Sequence, residues 1–123
     1  MKFMISFTHT KGELADRVPR WNELSDQEKQ SIAEQVKDFN KTLAEEQGAS
    51  MVFFDAPENA RTLRMRKDGS VDVEQGPLVN GDEFVGGYFI VKADSLEDAV
   101  EWARRGRWLV GSNEVREIKE LSF

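Results

Sequence analysis

A chain of 123 residues carries enough sequence for one domain, and 39% hydrophobic against 33% charged residues describes a globular protein, neither disordered nor membrane-like. A formal net charge of −6 opposes contact with phosphate backbones, so nucleic acid is not an expected partner. With no cysteine and one histidine, a disulfide framework, a zinc site and a Cys-His nucleophilic pair are excluded on residue count, and the cytoplasm is the expected compartment.

The opening segment alternates: Met1, Phe3, Ile5 and Phe7 share one face, and Lys2, Met4, Ser6 and Thr8 share the other. It ends at Thr8-His9-Thr10-Lys11 without the small-residue cleavage site of a signal peptide, and is read as a first strand. After a polar connector, Ser25-Asp-Gln-Glu28 forms a capping box, the serine hydroxyl accepting from the backbone three residues on while the glutamate reaches back. Ile32, Val36, Phe39 and Leu43 then make one apolar helical stripe, stopped near Gly48. Met51 to Phe54 is a short apolar strand closed by Asp55-Ala-Pro-Glu58.

Arg61 to Arg66 and Ser70 to Glu74 flank Lys67-Asp68-Gly69, which predicts a β-hairpin with Asp-Gly in a type I′ turn. A strand from Gly87 to Ala93 runs into a second capping signal, Ser95-Leu-Glu-Asp98, and a helix with Leu96, Ala99, Val100 and Ala103 on one face that ends near Gly106. Arg104, Arg105 and Arg107 sit where that helix ends, and cations there gain about 0.3–1 kcal/mol each from the helix dipole, which explains the basic run without an anion site. Asn113 to Ile118 is a last strand. The apolar stretches are far too short to cross a bilayer core of about 30 Å, so no membrane is expected.

The order β-α-β, inserted hairpin, β-α-β predicts a single α+β domain over residues 1–123 of the ferredoxin-like, split βαβ plan, with two helices on one face of an antiparallel sheet. The other face keeps enough apolar side chains to need an interface or a ligand groove.

One stretch reaches further. Gln75-Gly-Pro-Leu-Val-Asn-Gly-Asp-Glu-Phe-Val-Gly-Gly-Tyr-Phe-Ile-Val91 resembles the signature of the YCII-related (DGPF-domain) family, whose loop usually reads Asp-Gly-Pro-Phe-Ala-Glu-Thr-Lys-Glu ahead of a strand opening Gly-Gly-Tyr. Gly76, Pro77, Glu83, Gly86, Gly87 and Tyr88 fall in register, whereas Gln75 stands for the family's Asp and Leu78 for its Phe. Asp94 to Ala103 looks like the family's second helix, and Glu114 and Arg116 match its closing strand. The resemblance implies a homodimer of the dimeric α+β barrel type, with the two sheets facing each other and a cleft for a small-molecule ligand. Some members are thought to use a His-Asp pair, and one activity in the family is elimination of chloride from a chlorinated hydroquinone.

The inventory of reactive groups is thin. His9, just after the first strand, reads better as a surface-loop histidine than as a general base, although its pKa class suits proton transfer. Gln75 can orient a ligand by hydrogen bonds but cannot act as a base. His9 and Glu83 are the acid-base candidates; Gln75, Gly76, Pro77, Glu83, Tyr88 and Arg116 are the ligand-binding ones. Tyr88 has a competing role, packing across the sheet or a dimer interface behind a Gly86-Gly87 bulge. Arg64 and Arg66 could hold an anion, but read better as the charged row of an edge hairpin. Trp21, Trp102 and Trp108 are scattered and read as core or interface. No metal site is selected by any spacing, and no cofactor is expected. The preferred reading is a dimeric small-molecule-binding protein of the YCII-related type; the alternatives are a lyase or isomerase acting on a polar organic acid or phenol, and a protein interaction module.

Overall fold

The computed structural model describes residues 1–10, 24–79, 81, 83–106 and 112–121, without the side chains of His9, Thr10 and Glu83. Trp21, Arg107 and Trp108 lie outside the described residues.

The first strand, β1 (Lys2–Thr10), is the centre of the molecule because its alternating pattern gives it one fully buried face. It pairs antiparallel on one side with β5 (Glu83–Lys92) and on the other with β6 (Asn113–Ile118). The two-residue β2 (Val52–Phe53) adds to the far side of β5, giving a four-stranded sheet in the order β2-β5-β1-β6. Phe3, Ile5 and Phe7 of β1 and Phe89 and Val91 of β5 make one apolar face, against which α1 (Asp26–Gln47) sets Phe39 and Leu43 and α2 (Leu96–Arg105) sets Ala99. The Phe39 ring meets Phe89 edge-on at 5.4 Å and Trp102 at 6.2 Å, so one aromatic side chain joins both helices to the sheet. The chain is therefore an α+β domain. Among the described residues no helix is long and apolar enough to cross a membrane.

Both helices begin where the serines predict. The Glu28 amide donates to Ser25 Oγ at 3.1 Å and the Ser25 amide donates to Glu28 Oε1 at 3.1 Å, closing the capping box. Gly48 ends α1 in the left-handed conformation, φ 62°, its N–H directed at the Ala44 and Leu43 carbonyls. At α2 the Ser95 hydroxyl accepts from the Asp98 amide. Leu96, however, stays exposed at the first turn, so only Ala99 of the predicted apolar face is fully buried. Side-chain amides then tie α1 to the sheet. Gln47 donates to the Lys92 carbonyl at 3.0 Å and accepts from the Lys92 amide at 2.8 Å, standing in for a strand where β2 is too short to reach. Asn40 accepts from the Met51 amide at 2.8 Å and sets the chain's entry into β2.

Three expectations are corrected. β1 runs on to Thr10, so the backbone of His9 belongs to a paired strand and not to a loop. β5 starts at Glu83 instead of Gly87, and the pairing skips a residue between Phe7↔Gly87 and Thr8↔Val85. The skipped residue is Gly86, whose carbonyl instead accepts from the Phe54 amide at 2.8 Å: a bulge that couples the strand to the segment after β2. The hairpin of β3 (Arg61–Met65) and β4 (Val71–Gln75) is present, but its turn is not type I′. Only Gly69 has positive φ, 87°, and its amide donates to the Arg66 carbonyl at 3.0 Å. That is a type I turn followed by a left-handed glycine, and the Asp68 carboxylate fixes it by accepting from the Ser70 amide and hydroxyl.

Gly87 is the tightest point of the sheet. A Cβ there would overlap the Val52 carbonyl oxygen and the Phe7 ring, both held by the surrounding core. Gly87→Ala is expected to cost about 3 kcal/mol, the upper part of the range for overpacking. Gly48→Ala meets nothing within 4 Å and adds only the cost of a left-handed alanine, about 1 kcal/mol. Urea midpoints of the two variants should separate them in that order; equal losses would contradict the close approach at Gly87.

The capping box carries a pH dependence. Hydrogen bonds from the Ser25 backbone and then its side chain hold the Glu28 carboxyl below its ordinary 4.5. A depressed folded value means a contribution present above the unfolded pKa and lost as pH falls through the folded one. Ser25→Ala should move the Glu28 titration, followed by carboxyl carbon NMR, back up towards its ordinary value.

Candidate functional site

Two short segments, each locked by its own polar contacts, face one another beside the bulged start of β5. The first follows β2. Asp55 Oδ1 accepts from the Ala56 amide at 2.7 Å and Oδ2 from Asn59 Nδ2 at 3.2 Å, which braces a single 3₁₀ turn, Pro57–Asn59, with proline at its first position. The second is the Gly-Pro loop after β4. The Gly76 amide donates to the Ala60 carbonyl at 2.9 Å, and the Gly76 carbonyl accepts from the buried Thr62 hydroxyl at 2.9 Å. Gly76 has φ 105°, a conformation for glycine, and Pro77 fixes the next φ. The loop is thus pinned to the base of the hairpin on both sides.

Between these segments lie two adjoining cavities that share Pro57, Pro77, Val79 and Phe84. The larger, about 420 Å³, is lined mainly by apolar groups: Phe54, Ala56 and Ala60 from the first segment, Leu78 from the loop and Val85 from β5. The smaller, about 280 Å³, adds Glu58, Gln75, Gly76 and Gly81 and is the more polar. Small-molecule sites commonly occupy about 300–1,000 Å³ and combine an apolar body with a few polar groups.

The charges around the cavities are mostly spoken for. The Arg64 Nε–H is shared between both Glu74 carboxylate oxygens at 3.0 and 3.1 Å, and Arg66 donates to Asp72 at 2.7 Å, so the two hairpin arginines neutralise acids diagonally across the ribbon. Arg116 is paired with Glu114 at 2.7 Å. Arg61, the cross-strand partner of Gln75, turns onto the Ala60 carbonyl at 2.8 Å. Among the described residues that line the cavities, Asp55 and Glu58 are the ionisable ones.

The structure gathers some of the sequence-derived candidates and separates others. Gln75, Gly76 and Pro77 line the smaller cavity together. The backbone of His9 pairs with Phe84, which lines both cavities, and Thr10 pairs with Glu83, so the two acid-base candidates sit one register step apart at this end of the sheet. Tyr88 is half-buried between Ser6 and Val52 in the register, with its ring 5.9 Å from Phe54; it touches a lining residue without lining either cavity. Arg116 lies on β6, the opposite edge of the sheet from β2. Sequence reading missed the whole wall formed by Phe54, Pro57 and Ala60. Asp55-Ala-Pro-Glu58 did carry a signal, an aspartate two residues ahead of a helix-opening proline, but it was read only as a strand stop. Among the described residues no group of three or more His, Asp and Glu side chains is placed to hold a metal ion.

The model of the YCII-related domain matches residues 1–122, taking in the sheet, both helices and the loop. The chain belongs to the YCII-related family. A search of curated proteins finds no match. In this YCII-related chain the position ahead of the Gly-Pro pair is an amide, Gln75, and its neighbour Glu74 is turned to the other face of β4 and held by Arg64. No carboxylate of β4 therefore stands on the Gln75 face ahead of the Gly-Pro pair.

Thr62 tests the loop's anchoring. Thr62→Val keeps the volume but strands the Gly76 carbonyl, and should cost about 1 kcal/mol. Hydrogen exchange at the Gly76 amide should quicken well before that at Arg64 and Asp72, a hydrogen-bonded pair in the middle of the hairpin; unchanged exchange would remove Thr62 from the anchor.

Proposed function

We propose that this chain is a single YCII-related domain, residues 1–123, that binds a small organic molecule between the Gly-Pro loop and the Pro57–Asn59 turn, and that works as a homodimer in the cytoplasm. The paired cavities carry this reading: an apolar compartment of about 420 Å³ opens beside a polar one lined by Gln75 and Gly76, and both walls are braced by hydrogen bonds. With the hairpin set aside, the strand order β2-β5-β1-β6 supports a ferredoxin-like, split βαβ plan.

Dimerisation into an α+β barrel rests on the sheet face turned from the helices. Val52, Val85 and Ile90 lie on that face 37%, 54% and 38% exposed, beside Met4 and Tyr88, and Phe54 extends the patch at 50%. A second copy covering them would gain about 25 cal/mol per Å² of apolar surface removed from water. Light scattering at micromolar concentration should give twice the 14.1 kDa chain mass. Ile90→Glu should return the monomer, while a wild-type monomer would sink the dimer.

Acid-base elimination or isomerisation is the second reading, favoured by the His9↔Phe84 and Thr10↔Glu83 pairings beside the cavities. An NMR titration of His9 with and without 3-phenylpropanol separates the two. A titration that ignores the bound compound supports a binding protein, and a shifted one puts His9 in the site. Leu78 is exposed and lines the apolar compartment, so Leu78→Asp should leave the fold intact and weaken binding of the same compound at least about tenfold.

A further inference from the structure

The larger cavity offers apolar surface from Phe54, Leu78, Val79 and Phe84 and favours a branched or aromatic body. The polar compartment decides the head group. Its lining contains Glu58 and the carboxamide of Gln75, and neither side chain has a hydrogen-bond or ion-pair partner among the described residues. Asp55, the other acid of the lining, is already satisfied by the Ala56 amide and Asn59. Among the described residues no lysine or arginine lines either cavity; the hairpin arginines are paired with Glu74 and Asp72, and Arg61, cross-strand from Gln75, donates to the Ala60 carbonyl. A carboxylate head would enter beside the Glu58 carboxylate with no cation among the described lining residues to offset it, whereas an ammonium would meet an anionic partner there. Taking the small-molecule reading as its basis, we infer that the site selects an organic amine, an apolar body carrying a protonated nitrogen, over an organic acid of the same shape. Glu58 accepts from the ammonium, and Gln75 can offer its carbonyl oxygen as a second acceptor.

Three compounds with one hydrophobic body test this on the full chain at pH 7: 3-phenylpropylamine, 3-phenylpropanol and 3-phenylpropionate, with affinities read from amide and methyl shifts of Leu78, Val79 and Val85. The amine is expected to bind about threefold to fivefold tighter than the alcohol, the effect of one exposed ion pair, and the acid weaker than the alcohol. Added salt should shrink the spread. Glu58→Gln should remove the amine's advantage, lowering the amine's affinity by more than the alcohol's. Equal losses for amine and alcohol in that variant would make Glu58 a structural residue and overturn the inference. So would an acid that binds tightest; if that preference vanished in Arg61→Gln, head-group recognition would belong to Arg61. In either case a bound alcohol keeps the small-molecule reading intact. Failure of all three compounds to shift those residues would remove the site itself, and the inference with it.

Discussion

No side chain can stand at position 87, and much of the architecture depends on that. The Phe7 ring and the Val52 carbonyl both occupy the space where a Cβ would be, so β2 can close on β5 only over a glycine. Once β2 is docked, the Phe54 amide meets the carbonyl of the bulged Gly86, and the Phe54 ring lies beside Tyr88. That anchors the start of the segment whose 3₁₀ turn forms one wall of the cavities. The glycine pair therefore acts on the site indirectly. It lets two strands approach, and the approach sets where the wall begins.

The second wall depends on the hairpin, which protrudes as a two-stranded ribbon with its two faces unlike. Arg64–Glu74 and Arg66–Asp72 cover one face, while Leu63↔Val73 and Met65↔Val71 form apolar cross-strand pairs on the other, all four side chains well exposed. Two-stranded ribbons are marginal in water by themselves, and surface ion pairs contribute little, about 0–1 kcal/mol each. At the base of the ribbon, buried Thr62 and the Ala60 carbonyl grip Gly76 and so extend its ladder into the Gly-Pro loop. Ordering the loop and ordering the hairpin are thus one event, and a ligand that touches the loop acts on the ribbon too.

Much of the frame could be read from residue patterns because the signals were local and redundant. The Phe3-Ile5-Phe7 alternation, the two serine caps, Gly48 and the Asp-Gly turn each rest on contacts within a few residues, and each appears where the pattern put it. The errors came where non-local pairing decided the outcome. Gly86 interrupts the apolar alternation, so the pattern alone starts the strand after Glu83 and Val85, yet β1 supplies a partner on both sides of the bulge. The polar Thr8-His9-Thr10 reads as the start of a loop, yet pairing of His9 to Phe84 and of Thr10 to Glu83 carries the strand through it. In the turn, Asp68 and Gly69 were assigned positive φ together, but the hydrogen bonds from Ser70 to the Asp68 carboxylate reward a type I geometry with glycine alone left-handed.

At the site the Gly-Pro motif was legible, since glycine and proline report backbone geometry directly, whereas the opposite wall was not, since Phe54, Pro57 and Ala60 acquire meaning only when β2 is placed. Charge was the least legible property. From composition the arginines near the motif look available to an anion, but the hairpin places Arg64 and Arg66 diagonally across from Glu74 and Asp72, with which they form exposed ion pairs, and among the described lining residues Glu58 is left as the unpaired charge. Gln75 points the same way: a carboxamide beside the Glu58 carboxylate makes that part of the lining rich in hydrogen-bond acceptors. The sign of the site is therefore a property of the pairing of strands, and it emerges only after the fold has consumed the more numerous charges around it.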